Sequence, residues 1–328
     1  MSSPAAGSMH PPRPSASPLS AGRAVRYRMA LAVAVLGFAV MTVATAIGIL
    51  VVSPLWHLGM RVLRRDVAAQ HWSNPALWFV HGWSWLWPKW LRLTLGIQFD
   101  VSQAPGPTPP RTVRLLLLAH PPAAQGMMLV GDTFWRVAQR RWFAPVKREL
   151  MALIRVPTHA LGIILPIDRA TGDAAVDAIT DALQTVPLDG VCVAIFPEGH
   201  RISRARRESA WRFAHERGLE PMWHHLEPRP RGSRAMLRAL RDRAQAEGLD
   251  LEVHFGRYGF DRPGWGEPDG IARSMDATMW WASDVVTDEA LAVVEDVDAF
   301  AAWLRGRFVD ADRRLTVSPF IDAVERDG

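Results

Sequence analysis

The sequence predicts an α/β fold: a mainly parallel sheet flanked by helices, with an N-terminal membrane helix and a Trp-rich interfacial helix. Three observations carry this expectation. Residues 113–119, 163–167 and 190–196 are short, nearly continuous apolar runs, the pattern of strands covered on both faces. Residues 174–186 have helical spacing, with Asp on the outer face, between two of those runs. Residues 29–52 carry no charge, and as a helix they would extend ~36 Å, more than a hydrocarbon core of ~30 Å.

Taken in order, residues 1–28 predict a disordered tail of Pro, Ser, Ala and Gly that closes on Arg23, Arg26 and Arg28. Residues 29–53 predict a transmembrane helix, with Pro54 placed to end it. Two other readings stay open for this segment. One is a signal cleaved after Ala44-Thr45-Ala46; the other is a buried helix of a soluble protein. Arg61, Arg64 and Arg65 balance the arginines before the run, so charge gives no orientation. Residues 54–102 predict an amphipathic, interfacial helical region, in which Trp72, Trp78, Trp83, Trp85, Trp87 and Trp90 alternate with polar groups. An aromatic face packed on the domain core is the competing reading. Residues 103–111 are a Pro-rich linker. Residues 112–255 form the expected α/β core, with helices at 204–217 and 233–247 and a strand at 249–255. Residues 256–328 extend the same domain through a Gly/Pro-rich loop at 258–270 and a helix at 297–308.

Composition narrows the function. The chain has 328 residues, 49% of them hydrophobic, which excludes a wholly disordered protein. Lys and Arg number 38 against 33 acidic residues, and only Lys89 and Lys147 are lysines. Arginine forks suit phosphate oxygens. The apolar 29–52 segment and the lack of a nucleic-acid-binding motif argue against an RNA or DNA partner. Cys192 is the single cysteine, so no intrachain disulfide and no CxxC zinc motif exists. It falls in an expected buried strand, as inert core. His224-His225 has no carboxylate or Cys at ligand spacing, so no metal site is expected.

The sharpest local signal is Phe196-Pro197-Glu198-Gly199-His200-Arg201, directly after an apolar strand. Strand ends in such sheets are where sites form. Glycine allows close backbone approach, and an adjacent Arg can fork onto phosphate. A strand-ending turn with an incidental ion pair is the bland alternative. The hexamer resembles the F-P-E-G-T-R motif of the 1-acylglycerol-3-phosphate O-acyltransferase family. Residues 116–120 (LLLAH) resemble the strand leading to that family's N-H-x4-D motif. Residues 147–150 (KREL) resemble its K-x-E-L segment, and 162–169 (GIILPIDR) its G-x-x-F-I-D-R motif. Residues 213–232 and 303–315 are similar to the L-P-R-T-K-G stretch and the C-terminal W-L-x-x-R-F segment of the lysocardiolipin and lysophosphatidylinositol branch.

The resemblance implies a membrane-bound acyltransferase. It would move a fatty acyl group from acyl-CoA or acyl carrier protein to a lysophospholipid or lysophosphatidic acid at a bilayer surface, with no metal or redox cofactor. It implies His120 as general base, and Lys147, Arg169, Glu198, Gly199 and Arg201 at the acceptor phosphate. The chain departs from the pattern where Gln125 stands at the aspartate position, Ala119 at the Asn and His200 at the Thr. A Gln amide brings no negative charge to a developing imidazolium. The same departure leaves a second implication open, a lipid-binding or scaffold protein of the same fold that has lost transfer activity. Arg201, Arg204, Arg206, Arg207 and Arg212 form a basic run that would either draw an anionic bilayer or lie as a solvated helix face.

Overall fold

The computed structural model describes residues 21–63, 74–75, 77–120, 141–147, 164–167, 173–199, 204–260 and 278–316. These residues build one seven-stranded sheet. Its strands are β1 (Gln98–Gln103), β2 (Thr112–Leu118), β3 (Trp142–Lys147), β4 (Ile164–Ile167), β5 (Val191–Ile195), β6 (Asp250–Phe260) and β7 (Thr278–Val285), in the order β1-β7-β6-β2-β5-β3-β4. From β6 to β4 every neighbour is parallel. β7 runs antiparallel to β6, and β1 lies parallel to β7 at the edge. The expected α/β class, a mainly parallel sheet with flanking helices, is what the chain forms.

The apolar runs are continuous because both faces of the sheet are covered. Val113, Leu115 and Leu117 of β2 and Val191 and Val193 of β5 pack against α3 (Asp173–Thr185), α5 (Pro230–Glu247) and α7 (Val297–Thr316). Here Leu183, Met236, Leu237, Phe300, Leu304 and Phe308 complete the core. The alternate residues Leu116, Leu118, Cys192 and Ala194 face the opposite way, against Trp87, Leu91 and Leu95 of α2 (Leu77–Leu95) and Ala34 of α1 (Ala21–Val62). The remaining helices are α4 (Arg204–Glu216) and α6 (Thr287–Val293).

α1 and α2 form an antiparallel pair by aromatic insertion. A Cβ on Gly37 would lie 2.2 Å from the Trp90 ring, and one on Gly48 would lie 2.3 Å from the Phe79 ring. Both glycines are open notches that an aromatic ring fills. Polar contacts fix the same register: Trp90 Nε1 donates to the Ala34 carbonyl, Trp83 Nε1 to Thr42 Oγ1 and Asn74 Nδ2 to Ser53 Oγ. Among the described residues α1 is the one helix long and apolar enough to cross a membrane. Its Val33, Leu36, Val40, Val43, Ile47 and Val51 are exposed, so it is not the buried helix of a soluble core.

Several boundaries differ from expectation. α1 begins at Ala21, inside the expected tail, and passes through Pro54 to Val62. Proline removes one backbone bond and crowds one carbonyl, but from Leu55 to Val62 only the isolated Gly59 weakens the helix, so the helix continues. β1 starts within the region expected to be interfacial helix and ends at the first residue of the expected linker. The 103–111 segment is not a loose linker. Arg114 Nη1 donates to the Gly106 carbonyl at 2.6 Å, and the Arg111 amide to Asp189 Oδ1 at 2.6 Å. β6 runs on to Phe260 and β7 joins the same sheet, so the boundary expected after residue 255 lies inside a strand.

Candidate active site

β2 and β5 are parallel neighbours with Leu117 paired to Ile195. Three residues beyond each of these partners stand His120 and Glu198, so the sheet register brings the two side chains together. The β2 ladder persists to the site, because the Ala119 amide donates to the Gly256 carbonyl at 2.8 Å. After β5 the chain turns sharply. The Gly199 amide bonds the Phe196 carbonyl at 3.0 Å, and Gly199 takes a φ of +70°, which glycine adopts without a Cβ penalty. This turn aims Glu198 inward, and the Phe196 ring packs 4.4 Å from the His120 ring.

Glu198 is buried, and both of its oxygens are engaged. Oε2 accepts from the His120 amide at 2.7 Å and meets His120 Nδ1 at 2.9 Å. Oε1 accepts from the Leu226 amide at 2.8 Å and lies 3.5 Å from His225 Nδ1. Burial alone would raise the Glu198 carboxyl. The His120 hydrogen bond and the nearby His120 and His225 rings outweigh it and bring the pKa down to about 2. A carboxylate only accepts, so Nδ1 of His120 carries a proton, and a neutral ring has its lone pair on Nε2. Among the described residues Nε2 has no hydrogen-bond partner. The carboxylate therefore fixes the orientation of the His120 ring and its tautomer when neutral.

The segment opposite Glu198 is held by a second buried carboxylate. Asp312, on α7, accepts the amides of Trp223, His224 and His225 at 2.8, 2.6 and 3.1 Å. The next amide, Leu226, belongs to Glu198. The Arg229 amide closes the strap onto the Pro197 carbonyl, and Arg305 grips Glu227 through two nitrogens.

Of the residues singled out in the sequence, the structure brings together His120, Glu198 and Gly199. Gln125, Arg169 and Arg201 lie outside the described residues, and Lys147 is described by its backbone alone, at the end of β3 paired with Ile167. Among the described residues no three His, Cys, Asp or Glu side chains gather as a metal site. Cys192 is buried in β5, and burial pushes its thiol up to about 12. Sequence reasoning missed His225 and Asp312. His225 was weighed only as a metal ligand, and no local pattern ties Asp312 to a segment some ninety residues earlier.

Fold and site together define an α/β protein with a buried histidine–carboxylate pair at the ends of adjacent parallel strands. No family model matches the chain, and no curated protein matches it. Among solved structures, one that it is similar to is the 1-acyl-sn-glycerophosphate (LPA) acyltransferase PlsC from Thermotoga maritima. The two share 12% identity at a TM-score of 0.40, over 82% of this chain and 95% of that one.

Proposed function

We propose that the protein is a membrane-bound O-acyltransferase. It transfers a fatty acyl group from acyl-CoA or acyl carrier protein to the free hydroxyl of a lysophospholipid or lysophosphatidic acid. The observation that carries this reading is the His120 Nδ1 contact with Glu198 Oε2, at 2.9 Å and buried, with the lone pair of a neutral ring left on Nε2. Nε2 takes the acceptor hydroxyl proton as the oxygen attacks the thioester carbonyl. The C–O bond forms, the C–S bond breaks, and the imidazolium returns its proton to the leaving thiolate. Glu198 stabilises the imidazolium in between.

This reading moves Glu198 from the acceptor phosphate to His120. Its oxygens are engaged by protein donors, and a carboxylate would repel a phosphate. Lys147, Arg169, Gly199 and Arg201 remain proposed for the acceptor on the motif resemblance alone. The lipid-binding alternative rests on the missing charge at Gln125, and the Glu198 carboxylate beside His120 supports the enzyme reading against it. α1, paired with α2, is the proposed membrane attachment, as a single span or by lying in one leaflet. The test is the full-length protein in detergent with labelled acyl-CoA or acyl carrier protein and a panel of lysophospholipids. New ester product is expected with at least one acceptor. No product with any donor and acceptor pair would return the protein to the lipid-binding class.

A further inference from the structure

Glu198 can orient His120 only if its own carboxylate plane is fixed. One oxygen, Oε2, meets the amide and ring Nδ1 of His120; the other, Oε1, takes the Leu226 amide at 2.8 Å. Leu226 lies in a segment, residues 221–229, that contains neither helix nor strand. Such a segment has no ladder of its own to keep an amide at hydrogen-bonding distance. We infer that Asp312 of α7 is a positioning residue of the proposed acyl transfer, acting through the amides of residues 223–226 to fix the Glu198 carboxylate against His120.

Four consecutive amides are divided between two buried carboxylates. Asp312 takes Trp223 on Oδ2, and His224 and His225 on Oδ1; Glu198 takes the fourth, Leu226. Peptide units are planar, so once the His225 amide is held, only the two backbone torsions of His225 separate it from the Leu226 amide. The His225 side chain is completely buried, with the Phe308 ring of α7 packed nearly at a right angle to it, and this packing resists rotation there. Phe308 and Asp312 are one helical turn apart, so the face of α7 that fills the core also delivers the carboxylate. The segment is closed on both sides. Trp211 Nε1 donates to the Met222 carbonyl at 2.6 Å, and the Arg229 amide donates to the Pro197 carbonyl at 2.8 Å, next to Glu198 itself.

The consequence is an orientation set from behind. If the Leu226 amide leaves Oε1, the Glu198 carboxylate is free to turn about its last bond, and Oε2 is no longer held toward His120 Nδ1. The loss falls on the aim of the base, so it is read in kcat and not in KM.

The inference rests on the proposed acyl transfer for its meaning, but its first readout is independent of activity. In full-length protein in detergent, hydrogen exchange resolved to single residues should show the amides of residues 223–226 protected, although they lie outside helix and strand. Asp312→Asn keeps the size and one acceptor oxygen and turns the other into a donor. It should speed exchange about tenfold or more at Trp223 and also at Leu226, whose amide bonds Glu198 and not Asp312. In an active enzyme kcat should fall ~10–100-fold with both KM values unchanged. Glu198→Gln should cost less in the Asp312→Asn background than in the wild type, because the two act as one unit. Arg313→Gln removes the neighbouring tie from α7 to Glu220 and should change none of these readings. Rapid exchange of the 223–226 amides in the wild type overturns the inference. So does an unmoved Leu226 exchange rate in a folded Asp312→Asn, or an equal effect of Arg313→Gln. If Asp312→Asn does not fold, Asp312→Glu, which keeps the carboxylate but sets it one methylene farther out, is read in the same way. Failure of acyl transfer with the exchange pattern as expected would count against the enzyme reading only.

Discussion

His120 and Glu198 stand at equal distance beyond a registered pair, Leu117 of β2 and Ile195 of β5, and meet through one oxygen, Glu198 Oε2, which takes both the amide and the ring Nδ1 of His120. A slip of one residue between the strands would turn these side chains to opposite faces. The apolar residues of β2 and β5 that pack both cores therefore also set the geometry of the pair.

His120→Ala should lower transfer by at least ~100-fold, the usual scale for loss of a general base. Near-ultraviolet circular dichroism should stay native, since the ring lies at the strand end. Equal turnover in this variant and the wild type would remove the base assignment.

Glu198→Gln should cut turnover by ~100-fold or more while acceptor KM moves little, because the imidazolium loses its counter-charge. A rise confined to acceptor KM would instead restore Glu198 to the phosphate. Gln125→Asp should leave turnover within about twofold, since the carboxylate role is already filled; a tenfold gain, ~1.4 kcal/mol, would give that role back to position 125.

Stability should depend on pH in two windows. The Glu198 pKa falls from an ordinary 4.5 to about 2, so its contribution is present above 4.5 and is lost as pH drops toward 2. The His225 pKa is raised above 6.5, so its contribution is present below 6.5 and is lost as pH rises through the higher folded value. Tm measured against pH should show a plateau between these limits. Glu198→Gln should flatten the acid side, and an unchanged acid limb in that variant would disprove the linkage.

The glycine notches of α1 can be tested against an open position. Gly48→Ala should disturb the helix pair by ~1–3 kcal/mol, because the added Cβ meets the Phe79 ring. Gly59→Ala meets nothing within 4 Å and should be neutral or slightly stabilising. Thermal denaturation read by Trp fluorescence separates the two, and equal behaviour would mean that the rings do not sit in the notches.

The strands that read clearly from the sequence are those whose apolar runs both cores require. β2, β4 and β5 fall within a residue of the expected spans, and β6 starts where expected. β3 was missed because Pro145 argues against a central strand. The structure accommodates it because β3 pairs with β5 only through Trp142 and Phe143 and has left that neighbour by Pro145. β1 and β7 were missed because their order depends on each other: β1 is an edge strand whose partner lies far along the chain. The site was legible as two separate motifs. That they share an oxygen depends on strand register, and that His225 joins them depends on Asp312, neither of which a local pattern encodes.

Asp312 is the farthest downstream of the described residues that hold the site together, and α1 is the first helix among the described residues. Between Val62 and Asp312 a ribosome spends on the order of tens of seconds. Throughout that interval the chain has its apolar helix but not the carboxylate that fixes the strap behind Glu198. A nascent chain arrested before α7 should already hold α1, the proposed membrane attachment, yet leave Leu226 and His225 unplaced. Under the proposed function, the site would then be completed only after α1 has left the ribosome.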